Sequence, residues 1–351
     1  MIVSNISAAS GIEQSLEKTA TRLSAARNEI GKVIFGQNDV VDKILITLIS
    51  GGHVLLIGVP GVAKTLMVET VAKVMGLDTA RIQCTPDLMP ADILGSEVLE
   101  QGEDGKRSFR FIEGPVFTQF LMADEINRAS PRTQSALLQA MQEGSVTVSG
   151  HKHSLPQPFH VLATQNPIEQ EGTYPLPEAQ LDRFLMQIDV RYPDLGAERA
   201  MLLATTTNNN ADLKAVFTED ELIDMQRLVR DMPIGEKIVD AVLTLVRRGR
   251  PGAEASELVN RYVNWAPGPR ASQALMLASR AKALLEGRAA PSVDDVIDLA
   301  EPILKHRMAL HYQARADGVT LGDVIKSLTE NLSCGKKAQN RGRTTRGFWP
   351  R

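Results

Sequence analysis

Cysteine is nearly missing from this chain: Cys84 and Cys334 are the only two in 351 residues, and no C-x-x-C pair occurs. That excludes a disulfide framework and a thiolate metal site, and it fits a reducing compartment. A surplus of positive charge is missing too. With 39 Lys and Arg against 42 Asp and Glu, the formal charge is −3. The surface as a whole is therefore not a nucleic-acid footprint, although a local basic patch is compatible with that balance. No unbroken apolar run of membrane-spanning length occurs. Residues 44–63 contain no Asp, Glu, Lys or Arg, yet Gly51, Gly52, His53, Gly58, Pro60 and Gly61 interrupt them. A helix ending at Ile49, followed by a buried strand, accounts for their apolarity. The first residues lack the basic-then-apolar order of a secretion signal, since Glu13 and Glu17 come early. A soluble, cytoplasmic protein with no direct membrane attachment is the expectation.

What is present is ordinary globular material, 43% apolar and 23% charged, long enough for about two domains with a sizeable core. Ile12, Leu16, Leu23, Ile30 and Val33 recur at helical spacing, so an amphipathic helix opens the chain. A second helix follows the punctuation Ile34-Phe35-Gly36-Gln37 and ends near Ile49. Strand-like runs then recur at 53–57, 80–84, 119–123, 159–164 and 184–190, with helical patterns between them. Alternating strands and helices imply a parallel sheet covered on both faces. Two hairpins interrupt the rhythm, one formed by 96–100 and 107–112 around Asp104-Gly105, the other by 145–149 and 151–155 around Gly150. After Tyr192-Pro193 no further strand is expected. Helices are predicted at 219–230, 236–248, 270–286 and 293–304, with Ser292 capping the last and Gly287 ending the third. The division expected is an α/β domain over 1–193, a helical domain over 194–332 and a tail over 333–351. The tail carries Lys336, Lys337, Arg341, Arg343, Arg346 and Arg351 without an acid; it reads as a flexible, solvated terminus.

The chemistry centres on residues 58–65, Gly-Val-Pro-Gly-Val-Ala-Lys-Thr, which follow an apolar strand and open a helical pattern marked by Leu66, Val68, Val71, Ala72 and Met75. A glycine-rich turn in that context aims backbone N–H groups and the positive end of a helix dipole at a phosphate chain. Lys64 would reach the β/γ-phosphates and Thr65 would hold Mg²⁺. Ala63 stands where the pattern G-x-x-x-x-G-K-[ST] has its second glycine. Alanine is tolerated there if the residue already has helical φ/ψ, which is the expectation.

Downstream, the apolar run at 120–123 ends in Asp124 and Glu125, at the strand edge where open α/β sheets bind ligands. Asp124 would bind Mg²⁺ through water and Glu125 would polarise an attacking water. Another strand ends in Gln165-Asn166-Pro167 at the same edge, where Asn166 could orient that water. His151 and His153 share a strand face without a third ligand, so a solvated hairpin is expected. Arg128 and Arg132 could meet a neighbouring subunit's nucleotide or form surface ion pairs; both readings stand.

In this order the parts resemble the AAA+ ATPases, and within them the MoxR family. The resemblance rests on 58–65 with its Gly-Val-Ala-Lys-Thr ending and on 121–128, Leu-Met-Ala-Asp-Glu-Ile-Asn-Arg. It rests also on 134–143, 163–167 and 174–184, and it covers about 15–330. It implies an AAA+ P-loop NTPase core with two hairpin inserts and a C-terminal all-helical lid, acting as a hexameric ring with ATP and Mg²⁺ at subunit interfaces. Nucleotide contacts would come from Gly36, Gln37, Gly58, Pro60, Gly61, Val62, Ala63, Lys64, Thr65 and Leu66, with Gly36-Gln37 bordering the adenine. The resemblance makes Asn166 sensor 1, Arg183 the arginine finger and Arg270 sensor 2, joining Lys64 and Glu125 in catalysis, with Thr65 and Asp124 at the metal. It further implies remodelling or maturation of client proteins, linked to metal-cofactor insertion with a von Willebrand factor A (VWA) domain partner. A nucleic-acid motor or loader is the alternative, but no helix-turn-helix is apparent and the hairpins mix both signs of charge. A nucleotide-dependent structural switch with little turnover is the third reading.

Overall fold

The computed structural model describes residues 2–101, 107–168, 171–206 and 212–341. In chain order these form α1 (Ile2–Ile30), α2 (Asn38–Ile49), β1 (Val54–Gly58), α3 (Lys64–Met75), β2 (Thr79–Gln83) and α4 (Pro90–Leu94). A hairpin of β3 (Gly95–Gln101) and β4 (Arg107–Glu113) precedes β5 (Phe120–Asp124) and α5 (Pro131–Glu143). A second hairpin, β6 (Ser145–Val148) and β7 (His151–Ser154), leads to β8 (His160–Gln165), α6 (Glu178–Leu181) and β9 (Met186–Val190). Then come α7 (Leu195–Thr205), α8 (Glu219–Asp231), α9 (Glu236–Arg248), α10 (Glu257–Tyr262), β10 (Val263–Trp265) and α11 (Pro269–Leu285). The described chain ends with α12 (Val293–Leu304), β11 (Ala309–Leu310), α13 (Tyr312–Ala316) and α14 (Leu321–Arg341).

Two compact units result, one built on the chain up to Asp231 together with 284–289, the other on Met232–Ala283 and the chain from Ala290 onward. The composition boundary after Tyr192-Pro193 falls two helices earlier, because α7 and α8 pack with the first unit. That unit holds a five-stranded sheet in the order β2-β5-β8-β1-β9, parallel throughout. The middle strands are mostly apolar through their centres, as burial on both faces requires, with polar residues concentrated at their ends. Leu55, Leu121, Ala123, Val161 and Ala163 turn to one face and pack with Leu137, Leu138 and Met141 of α5. Val54, Leu56, Met122 and Leu162 are buried on the other, where α2 meets β9 and α3 meets β5. Each fully buried Leu of this kind contributes roughly 1.5–3 kcal/mol by leaving water.

Local sequence sets the helix ends. Ser130 accepts the Thr133 N–H and Pro131 occupies the first turn of α5, which stops at the left-handed Gly144 (φ +60°). Ser292 and Asp295 cap α12 reciprocally. Both hairpins form in register, Leu99 opposite Phe109 in one and Val146 opposite His153 in the other. The connecting residues 102–106, including the expected Asp104-Gly105 turn, lie outside the described residues. His153 is not merely solvated as expected: its ring stacks on Phe111 at 3.9 Å and 19°, joining the hairpins. In the second unit α9, α12 and α14 pack together. The expectation of no strand after Tyr192 is corrected by the short antiparallel pair β10–β11; three and two residues were too few to leave a periodicity. The backbone of α14 continues to Arg341, through the first part of the basic stretch; residues 342–351 of that stretch lie outside the described residues. Among the described residues no helix is long and apolar enough to cross a membrane.

Candidate functional site

Because the sheet is parallel, the carboxyl ends of β1, β5 and β8 and their neighbour β2 share one edge, bringing together Gly58, Asp124, Gln165 and Gln83. Gly58 is required by packing: a Cβ there would lie 2.8 Å from the Val190 carbonyl of β9. Gly61 has φ +85° with nothing within 4 Å of its absent Cβ, an open cradle over the loop. Ala63 departs from expectation. It sits at φ +57°, ψ +28°, left-handed rather than helical, and α3 begins only at Lys64. A β-carbon in that conformation costs about 1–2 kcal/mol, which glycine would avoid. Lys64 Nζ donates to the Gly58 carbonyl at 2.6 Å and the Val59 carbonyl at 3.4 Å, so its ammonium is held over the loop. Thr65 and Leu66 occupy the first turn of α3, half-buried and exposed.

The Gly36-Gln37 turn joins this loop. Gln37 is buried and donates from Nε2 to the Val62 carbonyl at 3.4 Å, while its Oε1 is buried with no partner. At Gly36 (φ +68°) a Cβ would come within 2.2 Å of Ala197 Cβ in the first turn of α7. Pro60 is exposed on the loop.

At the end of β5, Asp124 is buried and both its oxygens are engaged. Oδ1 accepts the Thr164 hydroxyl at 2.5 Å and Oδ2 accepts Arg81 Nη2 at 2.6 Å. Glu125 has φ +56°, and its N–H donates to Thr164 Oγ1 at 2.9 Å. Thr164 thus ties the Asp124 carboxylate to the Glu125 backbone. Glu125 Oε2 accepts Gln83 Nε2 and Arg128 Nη1, each at 3.0 Å. Within the chain Arg128 forms an ion pair with Glu125, and Arg132 is exposed on α5. Asn166 is buried, its Oδ1 accepting the Ile168 N–H at 3.1 Å. Beside these acids, burial pushes the Cys84 thiol up to about 12, with Asp124 and Glu125 adding to the effect, so it stays protonated.

Arg183 is not brought to this edge. It lies between α6 and β9, where its neighbour Leu185 donates to the His53 carbonyl ahead of β1. Met186 opens β9 opposite Val54, and Val190 ends it opposite Gly58. Arg183 is therefore separated from the phosphate loop by the length of a strand, about 13 Å at ~3.3 Å per residue. Arg270 belongs to the second unit, exposed at the second position of α11.

Sequence reasoning missed Arg81, Gln83 and Thr164. The available signal was polar residues at i and i+2 on β2, which share a face, and a buried hydroxyl in an aliphatic strand. The acids and Thr65 suit a hard cation, and the open loop with the orphaned Gln37 oxygen suits a nucleotide. Among the described residues no cluster of three or more His, Cys, Asp or Glu could hold a metal. A magnesium shared with phosphates asks for only one or two carboxylates.

Known proteins share this fold along nearly the whole chain. Residues 53–186 match the family described as ATPase family associated with various cellular activities (AAA), and residues 255–328 match the AAA lid domain. A Mycobacterium tuberculosis protein named Chaperone MoxR1 is 42% identical, over 89% of this chain and 82% of its own length. Protein MoxR of Methylorubrum extorquens is 30% identical, over 90% of this chain and 96% of its own. The crystal structure of a proposed ATPase from Cytophaga hutchinsonii superposes with a TM-score of 0.85 at 37% identity, covering 93% of this chain and 98% of that one. With a parallel five-stranded core carrying the phosphate loop, a matching lid and relatives of this similarity along nearly its whole length, the chain belongs to the MoxR family of AAA+ ATPases.

Proposed function

We propose that this protein hydrolyses ATP with Mg²⁺ as one member of an oligomeric ring, a hexamer by family resemblance, and uses the cycle to remodel or mature client proteins. The observation that carries this reading is the division of charged groups between two edges of one sheet. Lys64, Asp124 and Glu125 lie at the carboxyl edge and Arg183 at the amino edge. Arg183 is therefore remote from its own chain's phosphate loop, and Arg81 and Arg128 at that edge are already paired with Asp124 and Glu125, whereas a neighbour in a closed ring can offer its Arg183.

In this reading residues 58–66 with Gly36 and Gln37 bind the nucleotide. Lys64 exchanges its loop carbonyls for β/γ-phosphate oxygens, and Thr65 and Asp124 hold Mg²⁺. The metal, when bound, draws charge from the phosphate oxygens. Glu125, released from Gln83 and Arg128, polarises the attacking water, with Asn166 orienting it. Arg183 stabilises the charge spread over the neighbour's transferring phosphoryl group, a role worth about 10³ to 10⁵ in rate where such arginines act. Arg270, in the lid, senses the bound nucleotide. By resemblance the functional division is 1–193 for the nucleotide-binding domain, 194–332 for the lid and 333–351 for the basic tail, with α7 and α8 of the lid segment packing in the first unit. The name Chaperone MoxR1 carried by one relative supports a chaperone role; a VWA-domain partner and metal-cofactor insertion rest on family resemblance alone.

Mixing two inactive variants tests the shared site. Arg183→Ala and Lys64→Ala should each abolish turnover, while mixed oligomers regain part of it through sites with an intact lysine on one side and an intact arginine on the other. No recovery in verified mixed oligomers would refute the arrangement.

A further inference from the structure

Arg81 is assigned no part in the mechanism above, yet it contacts Asp124 directly. It stands on β2, the edge strand beside β5, and its Nη2 donates to Asp124 Oδ2 at 2.6 Å and to Gln83 Oε1 at 3.1 Å. Gln83 in turn donates from Nε2 to Glu125 Oε2. One guanidinium therefore holds Asp124 and also fixes which way the Gln83 amide faces, with its oxygen toward Arg81 and its nitrogen toward Glu125.

The two partners of the ion pair are unequally exposed. The Arg81 side chain is 50% accessible and that of Asp124 only 13%. Arg81 can return to water at little desolvation cost, whereas a buried carboxylate left without a counter-charge is strongly disfavoured. Asp124 thus needs a cation at all times, and Arg81 can leave only when another arrives. Oδ1 is already committed to Thr164, so a metal and the guanidinium would compete for the remaining capacity of one carboxylate, and two cations so close repel each other.

We propose that Arg81 is a placeholder for the metal: its guanidinium and a Mg²⁺ at Asp124 are alternative counter-charges, so loading with Mg–nucleotide frees Arg81 and, through Gln83, loosens the hold on Glu125. The inference rests on Asp124 being the metal-side carboxylate. Arg81 is a positioning residue in this scheme, acting through Asp124 and Gln83.

The test is equilibrium binding of a fluorescent ADP analogue to the full-length protein across a Mg²⁺ series, reading the Mg²⁺ concentration that half-saturates the gain in affinity. Arg81→Ala should lower that concentration about two- to fivefold, the fold-change equivalent of losing a half-exposed ion pair. Arg81→Lys, which keeps the charge, should stay near the parent value. An unchanged or higher Mg²⁺ requirement in Arg81→Ala would overturn the proposal. Thermal unfolding checks that the variants are folded, and Arg81→Met, which keeps the aliphatic stem, carries the test if the alanine variant is not. Asp124→Asn separates the two layers of the argument. It should abolish the Mg²⁺-dependent gain and make Arg81→Ala silent in its background. A gain that survives Asp124→Asn refutes the metal-site reading itself, whereas a gain lost there but insensitive to Arg81→Ala refutes only the placeholder.

Discussion

Acidification should loosen the first unit through two buried histidines far from the Gly58–Thr65 loop. His53, just ahead of β1, accepts the Val161 N–H on Nδ1 at 3.0 Å and faces the Met141 carbonyl with Nε2 at 3.1 Å. His160, opening β8, faces the Gly52 carbonyl with Nδ1 at 2.8 Å and the Gln226 amide with Nε2 at 3.1 Å. Each ring has one acceptor facing it and one donor, the pattern of a neutral imidazole. Burial lowers His53 from 6.5 to about 3, helped by its neighbour His160, and lowers His160 to about 4. The unfolded chain takes up protons below 6.5 while the fold does not, so stability is full above 6.5 and falls as pH drops toward 4. At pH 5, 1.5 units below the unfolded value and above both folded values, each histidine costs about 2 kcal/mol relative to pH 7.5, about 4 together, at 1.36 kcal/mol per unit. Glu221, held down to about 2 by its hydrogen bond from Arg22, adds little at pH 5 because its loss begins below its ordinary value of 4.5. Denaturant unfolding of the first unit, followed at pH 7.5 and 5.0, measures the difference. His53→Gln and His160→Gln should each remove about half of the pH dependence, whatever they do to stability at pH 7.5. A parent protein equally stable at both pH values, or variants keeping the full dependence, would refute the reasoning.

Ala63→Gly should raise the unfolding midpoint by the equivalent of about 0.5–1 kcal/mol, the relief at φ +57° less the added entropy of glycine; a lower midpoint would show that Ala63 is not strained. Gly58→Ala should cost about 1–3 kcal/mol, because its methyl group meets the Val190 carbonyl at 2.8 Å and β1 and β9 must part; thermal unfolding checks this, and an unchanged midpoint would contradict the packing. Glu125→Gln should bind ATP while losing about 10² to 10⁴ in turnover, as removal of a general base does. Filter binding and phosphate release measure the two, and undiminished release would remove Glu125 from its role.

The sequence by itself determined the class of fold and the outline of the site. Strand runs ending in Gly58, Asp124 and Asn166 were legible because a strand buried on both faces must be mostly apolar through its centre. The first polar residues after such a run then mark the sheet edge. Glu236–Arg248 and Val293–Leu304 were readable to the residue because capping and a 3.6-residue period are local properties. Tertiary structure alone decided what depends on neighbours in space. Ala63 reads as helical in one dimension and is left-handed in three, since the loop must turn before α3 can start. Arg81 and Gln83 look like an ordinary exposed strand face; only the pairing of β2 with β5 sets them on Asp124 and Glu125. His53 and His160, 107 positions apart in sequence, meet because β1 and β8 pair, with rings 6.5 Å apart. Arg183 follows the same logic in reverse. By family resemblance its motif is an arginine finger, and the direction of β9 puts it at the opposite edge of the sheet from the Gly58–Thr65 loop of its own chain.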